Sequence, residues 1–361
     1  MINQDTINRL RKFFSDKYGK DSFEGQTFFV INSSGLPRWL LPAVSRKYRS
    51  IIYEILKQWK PYSRKSAFFW VILINLYRFG ILYFIPGIQR SILPKINTII
   101  YTIYVGTPGL KQKLVLSLYD KDSGERSIVK IAIGSKASQS IENEQYALTN
   151  IQNSVNTPCL LEKDCDHKWL SQTFVAGKLC QSSLSQSQLE WLTLLPKGKC
   201  YSLYSVLNTQ LQKVIAHTND KEYELIDFSK KIIDDTFSKK TVDLDHVAIH
   251  GDFAPWNMKL EKNNRLYVFD WESYEQDGIP LYDLCYYYLN LSHLFKQRNY
   301  TQNLFESGVI DRYLIIMNIN LYYKKPLLAC AILKIINNAI NDMRFDFAEY
   351  ILNLKLEKLI K

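Results

Sequence analysis

The stretch His250-Gly251-Asp252-Phe253-Ala254-Pro255-Trp256-Asn257 sets a carboxylate and a carboxamide at a short fixed spacing. The segment Lys259 to Phe269 reads as a tight hairpin and ends in Asp270-Trp271-Glu272. If the hairpin turns at Asn263-Asn264, Lys262 faces Arg265 and each opposed pair of residue numbers sums to 527, as 257 and 270 do. Asn257 and Asp270 are then cross-strand neighbours, with Cβ atoms about 5 Å apart. One amide oxygen and one carboxylate at that distance suit a hard cation such as Mg2+, which takes few protein ligands and fills its shell with phosphate oxygens. Asp252 sits on the loop just before this pair. That is the place for a carboxylate that orients an acceptor hydroxyl and takes its proton late in a phosphoryl transfer. Gly251 lets the backbone turn sharply and Pro255 stiffens the loop. Each part alone is an ordinary turn, strand end or solvated charge; it is the ordered set that points to chemistry.

Other elements must hold these groups. Ile99–Val105, Lys113–Tyr119 and Ser127–Ile133 read as an antiparallel meander, with turns at Gly106-Thr107-Pro108-Gly109 and Lys121-Asp122-Ser123-Gly124. Lys130 lies in the third strand among Ile128, Val129, Ile131 and Ile133, so it must reach solvent or meet an anion. Ser140–Ile151 is expected to be helical, with Glu142 and Glu144 in its first turns. Trp169–Val175 is a further strand, broken by Ala176-Gly177-Lys178. Helical patterns then dominate, over 185–195, 201–216, 220–238, 280–296, 302–322, 326–343 and 345–360. Strands followed by helices imply an α+β chain with two lobes.

Composition adds a third region. Lys and Arg outnumber Asp and Glu by 16 to 5 over residues 1–100, against 9 to 8 over 101–179 and 21 to 22 over 180–361. The net charge of +11 therefore resides in the first hundred residues. Such a block suits an anionic partner: membrane phospholipid through residues 38–95, or a phosphorylated substrate, with nucleic acid not expected. Within residues 1–66, Thr27–Ile31 is a short apolar run, Asn32–Arg38 has loop chemistry, and Tyr48–Trp59 has helical spacing. Ala67–Ile85 is the most apolar stretch and stops at Pro86-Gly87. Three readings stand for this expected helix: a buried helix, a helix lying in a membrane plane, and a membrane span, which Arg78 and Asn75 disfavour. The six cysteines form no C-x-x-C pair, which suits reduced thiols in the cytoplasm, and Met1–Asp21 does not read as a signal peptide. The expected organisation is a basic extension over 1–98, a nucleotide-binding lobe over 99–178 and a catalytic, acceptor-binding helical lobe over 179–361.

The order of strand lysine, helix glutamate, H-G-D-x-x-x-x-N, hairpin and aspartate resembles the protein-kinase-like fold. With D-W-E it is similar to the aminoglycoside phosphotransferase and choline kinase branch, which phosphorylates small molecules. The resemblance spans roughly residues 99–361 and is strongest over 246–290. It implies ATP as co-substrate, with Asp252 as the catalytic base or orienting group and Asn257 and Asp270 as Mg2+ ligands. It implies Lys130 on the α- and β-phosphates with Glu144 as its helix partner, Glu142 being the alternative. The turn from Gly106 to Gly109 covers the phosphates, and Gln172 to Val175, with Phe174, forms a hinge that reads adenine through backbone groups. Asp283 buttresses the catalytic loop and His250 supports it structurally. Glu272 is left open between a place beside the metal ligands and a salt bridge. Two departures stand out: the phosphate turn has fewer glycines than a protein-kinase loop, and residues 180–361 lack the acidic excess that a polycationic antibiotic would need.

The expected function is transfer of the ATP γ-phosphoryl group to a hydroxyl of a small molecule, a sugar, glycan or lipid-linked acceptor. The alternatives are an inactive nucleotide-binding scaffold and a choline- or ethanolamine-type kinase that uses an aromatic cage drawn from Trp256, Tyr282, Tyr286, Tyr287 and Tyr288. The expected location is the cytoplasm, at the inner membrane face if the basic block meets lipid.

Overall fold

The computed structural model describes residues 4–19, 23–33, 35–59, 61, 64–218, 223–237 and 242–354. It divides the chain into two compact units. The first comprises 1–149, 157–179 and 261–263, and the second 150–156, 180–260 and 264–361.

The first unit is built on one antiparallel sheet. Its elements are α1 (Gln4–Tyr18), β1 (Gly25–Ser33), β2 (Leu36–Pro42), α2 (Arg46–Leu56), α3 (Arg64–Arg78), β3 (Arg90–Pro94), β4 (Ile99–Val105), β5 (Lys113–Asp120), β6 (Arg126–Ala132), α4 (Ala137–Ile151), β7 (Leu160–Lys163), β8 (Trp169–Thr173) and the short β9 (Lys178–Leu179). Eight strands form the sheet in the order β3-β1-β2-β4-β5-β6-β8-β7. The period of two splits its side chains between two apolar faces. Phe28, Leu40, Tyr101, Leu116 and Val129 pack on one face with Leu10, Phe13 and Phe14 of α1. Phe29, Leu41 and Ile100 pack on the other with Ile52 and Leu56 of α2 and Trp70, Ile74 and Tyr77 of α3.

This topology corrects the expected extension over 1–98. Strands β1, β2 and β3 belong to the same sheet and cores as β4–β6, so residue 98 is not a boundary between bodies. The loop expected over Asn32–Arg38 is a hairpin between β1 and β2, with Ser34 outside the described residues. The helix expected over 67–85 ends at Arg78, because Gly80 takes a left-handed φ of +78° and Ile81–Tyr83 continues as a 3-10 turn. Among the described residues, no helix is long and apolar enough to cross a membrane.

The second unit is mainly helical: α5 (Gln186–Thr193), α6 (Leu203–Thr218), α7 (Glu224–Phe237), α8 (Tyr282–Phe295), α9 (Asn299–Glu306), α10 (Val309–Ile316), α11 (Lys324–Asn341) and α12 (Phe345–Leu352). Strands β10 (Lys197–Ser202), β11 (Asp243–Ile249) and β14 (Glu275–Gly278) form a small sheet, and β12 (Met258–Leu260) and β13 (Leu266–Val268) form the hairpin. Helix α11 runs through the core, with Leu327 to Leu333 at 0% exposure. The single helix expected over 302–322 is two, α9 and α10, because Gly308 takes φ +72° between them. Residues 220–222, 238 and 355–360 of the expected helices lie outside the described residues.

If β1 and β6 share one cooperative body, Phe28→Ala weakens the sheet as a whole. The expected loss is about 3–5 kcal/mol, read by denaturant unfolding, with faster hydrogen exchange over 114–118 and 128–131 as well as 28–30. A truly separate extension would leave exchange in β5 and β6 unchanged.

Candidate active site

In the first unit, Lys130 and Glu144 form a buried ion pair. The two-residue period that sends Val129 and Ile131 towards α1 turns Lys130 to the face covered by α4. Its Nζ lies 2.6 and 2.7 Å from the two carboxylate oxygens of Glu144. Lys130 is 5% exposed and Glu144 0%. The alternative partner, Glu142, is exposed and accepts instead from Gln139. A buried pair of this kind contributes little net stability, but removing one partner strands the other charge at a cost of about 3–5 kcal/mol.

The loop after β4 is held by backbone bonds. Gly106 N–H donates to Lys113 O at 2.9 Å, and a Cβ at Gly106 would lie 2.8 Å from that oxygen. Gln112 O accepts from Ile133 and Gly134 N–H, and Leu110 O accepts from Lys136 N–H, so the segment containing Gly109 is tied to the turn that opens α4. A side chain at Gly134 would put Cβ 2.2 Å from Leu110 O, a requirement that the sequence pattern did not single out. Gln172, on β8, is 3% exposed, and its Oε1 is buried without a hydrogen-bond partner among the described residues. Phe174 and Val175 follow β8; Phe174 N–H donates to Arg126 O at 3.4 Å, and Val175 is 9% exposed.

In the second unit the loop from β11 to β12 is fixed by Asp283, in the first turn of α8. Its carboxylate accepts from His250 N–H at 2.7 Å and from Gly251 N–H at 2.9 Å. Gly251 has φ +82°, and a Cβ there would lie 2.1 Å from Ser273 O. His250, at 0% exposure, has both ring nitrogens engaged: Nδ1 accepts from Asp252 N–H at 3.2 Å and Nε2 lies 3.1 Å from Phe269 O. This pattern fits a neutral ring with its proton on Nε2, a brace rather than a base.

Both oxygens of Asp252 are held. Tyr286 Oη donates to Oδ1 at 2.7 Å, and Asn257 Nδ2 donates to Oδ2 at 2.9 Å. Asn257 Nδ2 also donates to Asp252 O at 2.9 Å, which turns its carbonyl oxygen away from Asp252. Arg344 extends the chain, donating from Nη1 to Tyr286 Oη at 2.9 Å and from Nη2 to Asn290 Oδ1 at 3.1 Å. Burial pushes the Asp252 carboxyl up to about 6, with Asp270 pushing the same way. The bonds from Tyr286 and Asn257, and the charge of Arg344, hold it down. The sequence names Tyr286 only as a member of an aromatic cage, not as a partner of Asp252, and Arg344 lies too far along the chain to be singled out.

The hairpin corrects the expected register. Met258 pairs with Val268, Lys259 with Tyr267 and Leu260 with Leu266, so the opposed numbers sum to 526 rather than 527. Five residues, 261–265, close the hairpin, with Asn264 at φ +60°. Asn257 therefore lies opposite Phe269, whose N–H donates to Asn257 O at 3.0 Å. A one-residue slip puts the next side chain on the other face of a regular strand. Asp270 is not in a regular strand: its φ is +71°, a left-handed conformation that breaks the alternation. Trp271, at 0% exposure, anchors the bend through Nε1–H to Val268 O at 3.1 Å. Asn257 Oδ1 and the Asp270 carboxylate are hard oxygen donors, a set that suits Mg2+ when phosphate oxygens supply the remaining ligands.

No protein-family model and no curated protein matches this chain. Among solved structures it is similar to a macrolide 2'-phosphotransferase type I, at 13% identity over 72% of this chain and 91% of that one, with a TM-score of 0.46. A macrolide 2'-phosphotransferase of Brachybacterium faecium gives 13% identity over 69% and 90%, with a TM-score of 0.47. An ethanolamine kinase of Plasmodium vivax gives 11% identity over 85% and 92%, with a TM-score of 0.44. At this distance the likenesses do not specify an activity or an acceptor.

Two outcomes test the site. Tyr286→Phe removes the donor to Asp252 Oδ1 and keeps the ring; if Asp252 acts on a substrate hydroxyl, the expected result is about a tenfold fall in kcat, measured by steady-state kinetics. Asp283, buried, has its carboxyl pushed up to about 7 by burial, against the pull of the two N–H donors. A raised folded-state pKa gives stability that is full below the unfolded value of about 4 and is lost as pH rises through about 7. Unfolding free energy of the parent chain should therefore fall, by up to about 4 kcal/mol, between those pH values relative to Asp283→Asn, as measured by denaturant titration.

Proposed function

We propose that this chain transfers the γ-phosphoryl group of ATP to a hydroxyl of a small molecule, with Mg2+. The observation that carries the proposal is the Asp252 carboxylate, fixed at both oxygens by Asn257 and Tyr286 beside the left-handed Asp270. Asp252 receives the acceptor hydroxyl, orients its oxygen and takes its proton as the new P–O bond forms. Mg2+, held by Asn257 Oδ1 and Asp270, would supply charge neutralisation on the phosphates. Lys130, steadied by Glu144, is assigned the α- and β-phosphates, and the turn from Gly106 to Gly109 covers them. The backbone of Phe174 and Val175 is assigned the adenine, and the orphan acceptor Gln172 Oε1, on the strand just before them, supports a donor-bearing ligand there.

The acceptor is read as a sugar, a glycan or a lipid-linked species, and the basic block over 38–95 as the part that meets an anionic surface at the inner membrane face. Retention of Lys130, Asp252, Asn257 and Asp270 together speaks against an inactive scaffold. A cage for a quaternary ammonium has little support, since Tyr282 and Tyr287 are 2% and 0% exposed and the Tyr286 hydroxyl is committed to Asp252.

The test uses γ-labelled ATP, Mg2+ and a cell extract split into lipid and aqueous fractions. Labelled product is expected in one fraction, falling on the order of 10²–10⁴-fold in Asp252→Ala. Nucleotide binding with no labelled product above the Asp252→Ala level in either fraction would favour the scaffold.

A further inference from the structure

Helix α3 is apolar on both sides, and the sheet covers only one. Ala67, Trp70, Ile74 and Tyr77, spaced at three and four residues, are 7%, 5%, 2% and 0% exposed. Trp70 Nε1–H donates to Leu56 O and Tyr77 Oη–H to Pro42 O, which fixes the helix rotation. The opposite side carries Phe68, Phe69, Val71 and Ile72, at 65%, 68%, 45% and 41% exposed. The apolar surface continues through Phe79, at 66%, and past the left-handed Gly80 to Phe84, at 84%. Asn75, the polar residue among them, satisfies its amide within the helix by donating to Val71 O at 2.7 Å. Helix α3 thus presents to the outside side chains as large and apolar as those it buries.

The charge around this face is one-sided. Residues 38–95 contain eleven Lys and Arg and one acidic residue, Glu54. Three of the arginines are fastened by carbonyls and rings around the C-terminal end of α3 and the turn after it. Arg49 donates to Arg78 O and Val44 O, Arg90 donates to Tyr83 O, and the Arg78 guanidinium lies 4.6 Å from the Tyr53 ring centroid and 5.8 Å from that of Phe79. Contacts of that kind orient cations and leave their charge in place.

We propose that the outward face of α3 and the turn after it dock on an anionic lipid bilayer, with the helix in the plane of the interface. This deepens the reading of the basic block given above and is independent of the phosphoryl-transfer reading. Aromatic side chains entering the headgroup boundary, rimmed by arginines that meet lipid phosphates, are the two complementary parts of an interfacial helix. At 15 residues α3 is about 22 Å long, short of the roughly 30 Å hydrocarbon core, so it lies on the bilayer and does not span it. A second copy is a poorer occupant: an isologous contact sets one basic face against another, and residues 101–361 carry no acidic excess to complement it beyond 30 acidic against 30 basic groups.

The test is sedimentation of the full chain with phosphatidylcholine vesicles, with and without phosphatidylglycerol. Binding is expected to be at least about tenfold tighter with phosphatidylglycerol present. The variant Phe68→Ser/Ile72→Ser/Phe79→Ser is expected to lose at least about tenfold of that binding while keeping its circular dichroism and its turnover of ATP. Nitroxide labels at Phe84→Cys should contact lipid in the bound state. No binding to either vesicle overturns the proposal, as does binding unchanged in the triple variant. A parent dimer that the triple variant converts to monomer would assign the face to a second copy instead. Vesicle binding without turnover would leave this proposal standing and refute the phosphoryl-transfer reading; turnover without vesicle binding would do the reverse.

Discussion

Two backbone N–H groups, of His250 and Gly251, converge on the buried carboxylate of Asp283, and the loop that carries Asp252 depends on that convergence. Gly251 can hold φ +82° against Ser273 only because it has no side chain. Helix α8 supplies more than this anchor. Residues 283 and 286 lie three apart on one helical face, so the helix that grips the loop backbone through Asp283 also caps the Asp252 carboxylate through Tyr286. The entry to α8 is itself constrained, with Leu281 at φ +73°. Loop and carboxylate are thereby referred to one rigid element, which limits how far Asp252 can drift from a reacting hydroxyl.

The first unit fixes its charge by a different device. Lys130 is set among apolar neighbours on an eight-stranded sheet, and only the strand period separates it from the face that α1 covers. Glu144, one helix away, supplies both oxygens to it. In the second unit the titrating groups are instead steadied by neutral donors: backbone amides, a carboxamide and a phenol. Lys130 is thereby matched to a counter-charge, whereas Asp252 is held high in its range by burial and kept from rising further by hydrogen bonds and by Arg344.

What the sequence disclosed follows the range of each interaction. The meander β4–β6 is legible because strand period and turn residues are local, as is most of the helical order of the second unit, whereas the β1–β2 hairpin and the strands β10, β11 and β14 are not. The hairpin was legible but its register was not. Asn263-Asn264 suggested a two-residue turn, whereas five residues close it, and the left-handed Asp270 breaks the alternation on which register counting relies. Asn32–Arg38 reads as loop because Asn32-Ser33-Ser34-Gly35 and Pro37 dominate its chemistry, yet it lies in a hairpin whose second strand buries Trp39, Leu40 and Leu41 in both cores. Gly308 divided a pattern that apolar spacing alone ran together. Tyr286 and Arg344 lie 34 and 92 residues from Asp252, and nothing local marks them as its neighbours. Which side of α3 the sheet takes is also beyond the pattern, since large apolar side chains stand on both sides of the helix.

The strand order has a bearing on how the first unit forms. In β3-β1-β2-β4-β5-β6-β8-β7, four of the seven junctions join strands consecutive in sequence, while β1–β3, β2–β4 and β6–β8 join residues from 38 (Ile131 and Trp169) to 69 (Gly25 and Pro94) positions apart. The sequential hairpins close small loops, which favours their rapid formation, whereas the other three junctions wait for later strands. The sheet can therefore be laid down strand by strand as the chain leaves the ribosome, with the N-terminal hairpin offering its edge to β4 before the lysine strand β6 has been made. The first hundred residues then act as a template for the sheet that carries Lys130, a part they could play in the birth of the protein whatever their outer face later meets.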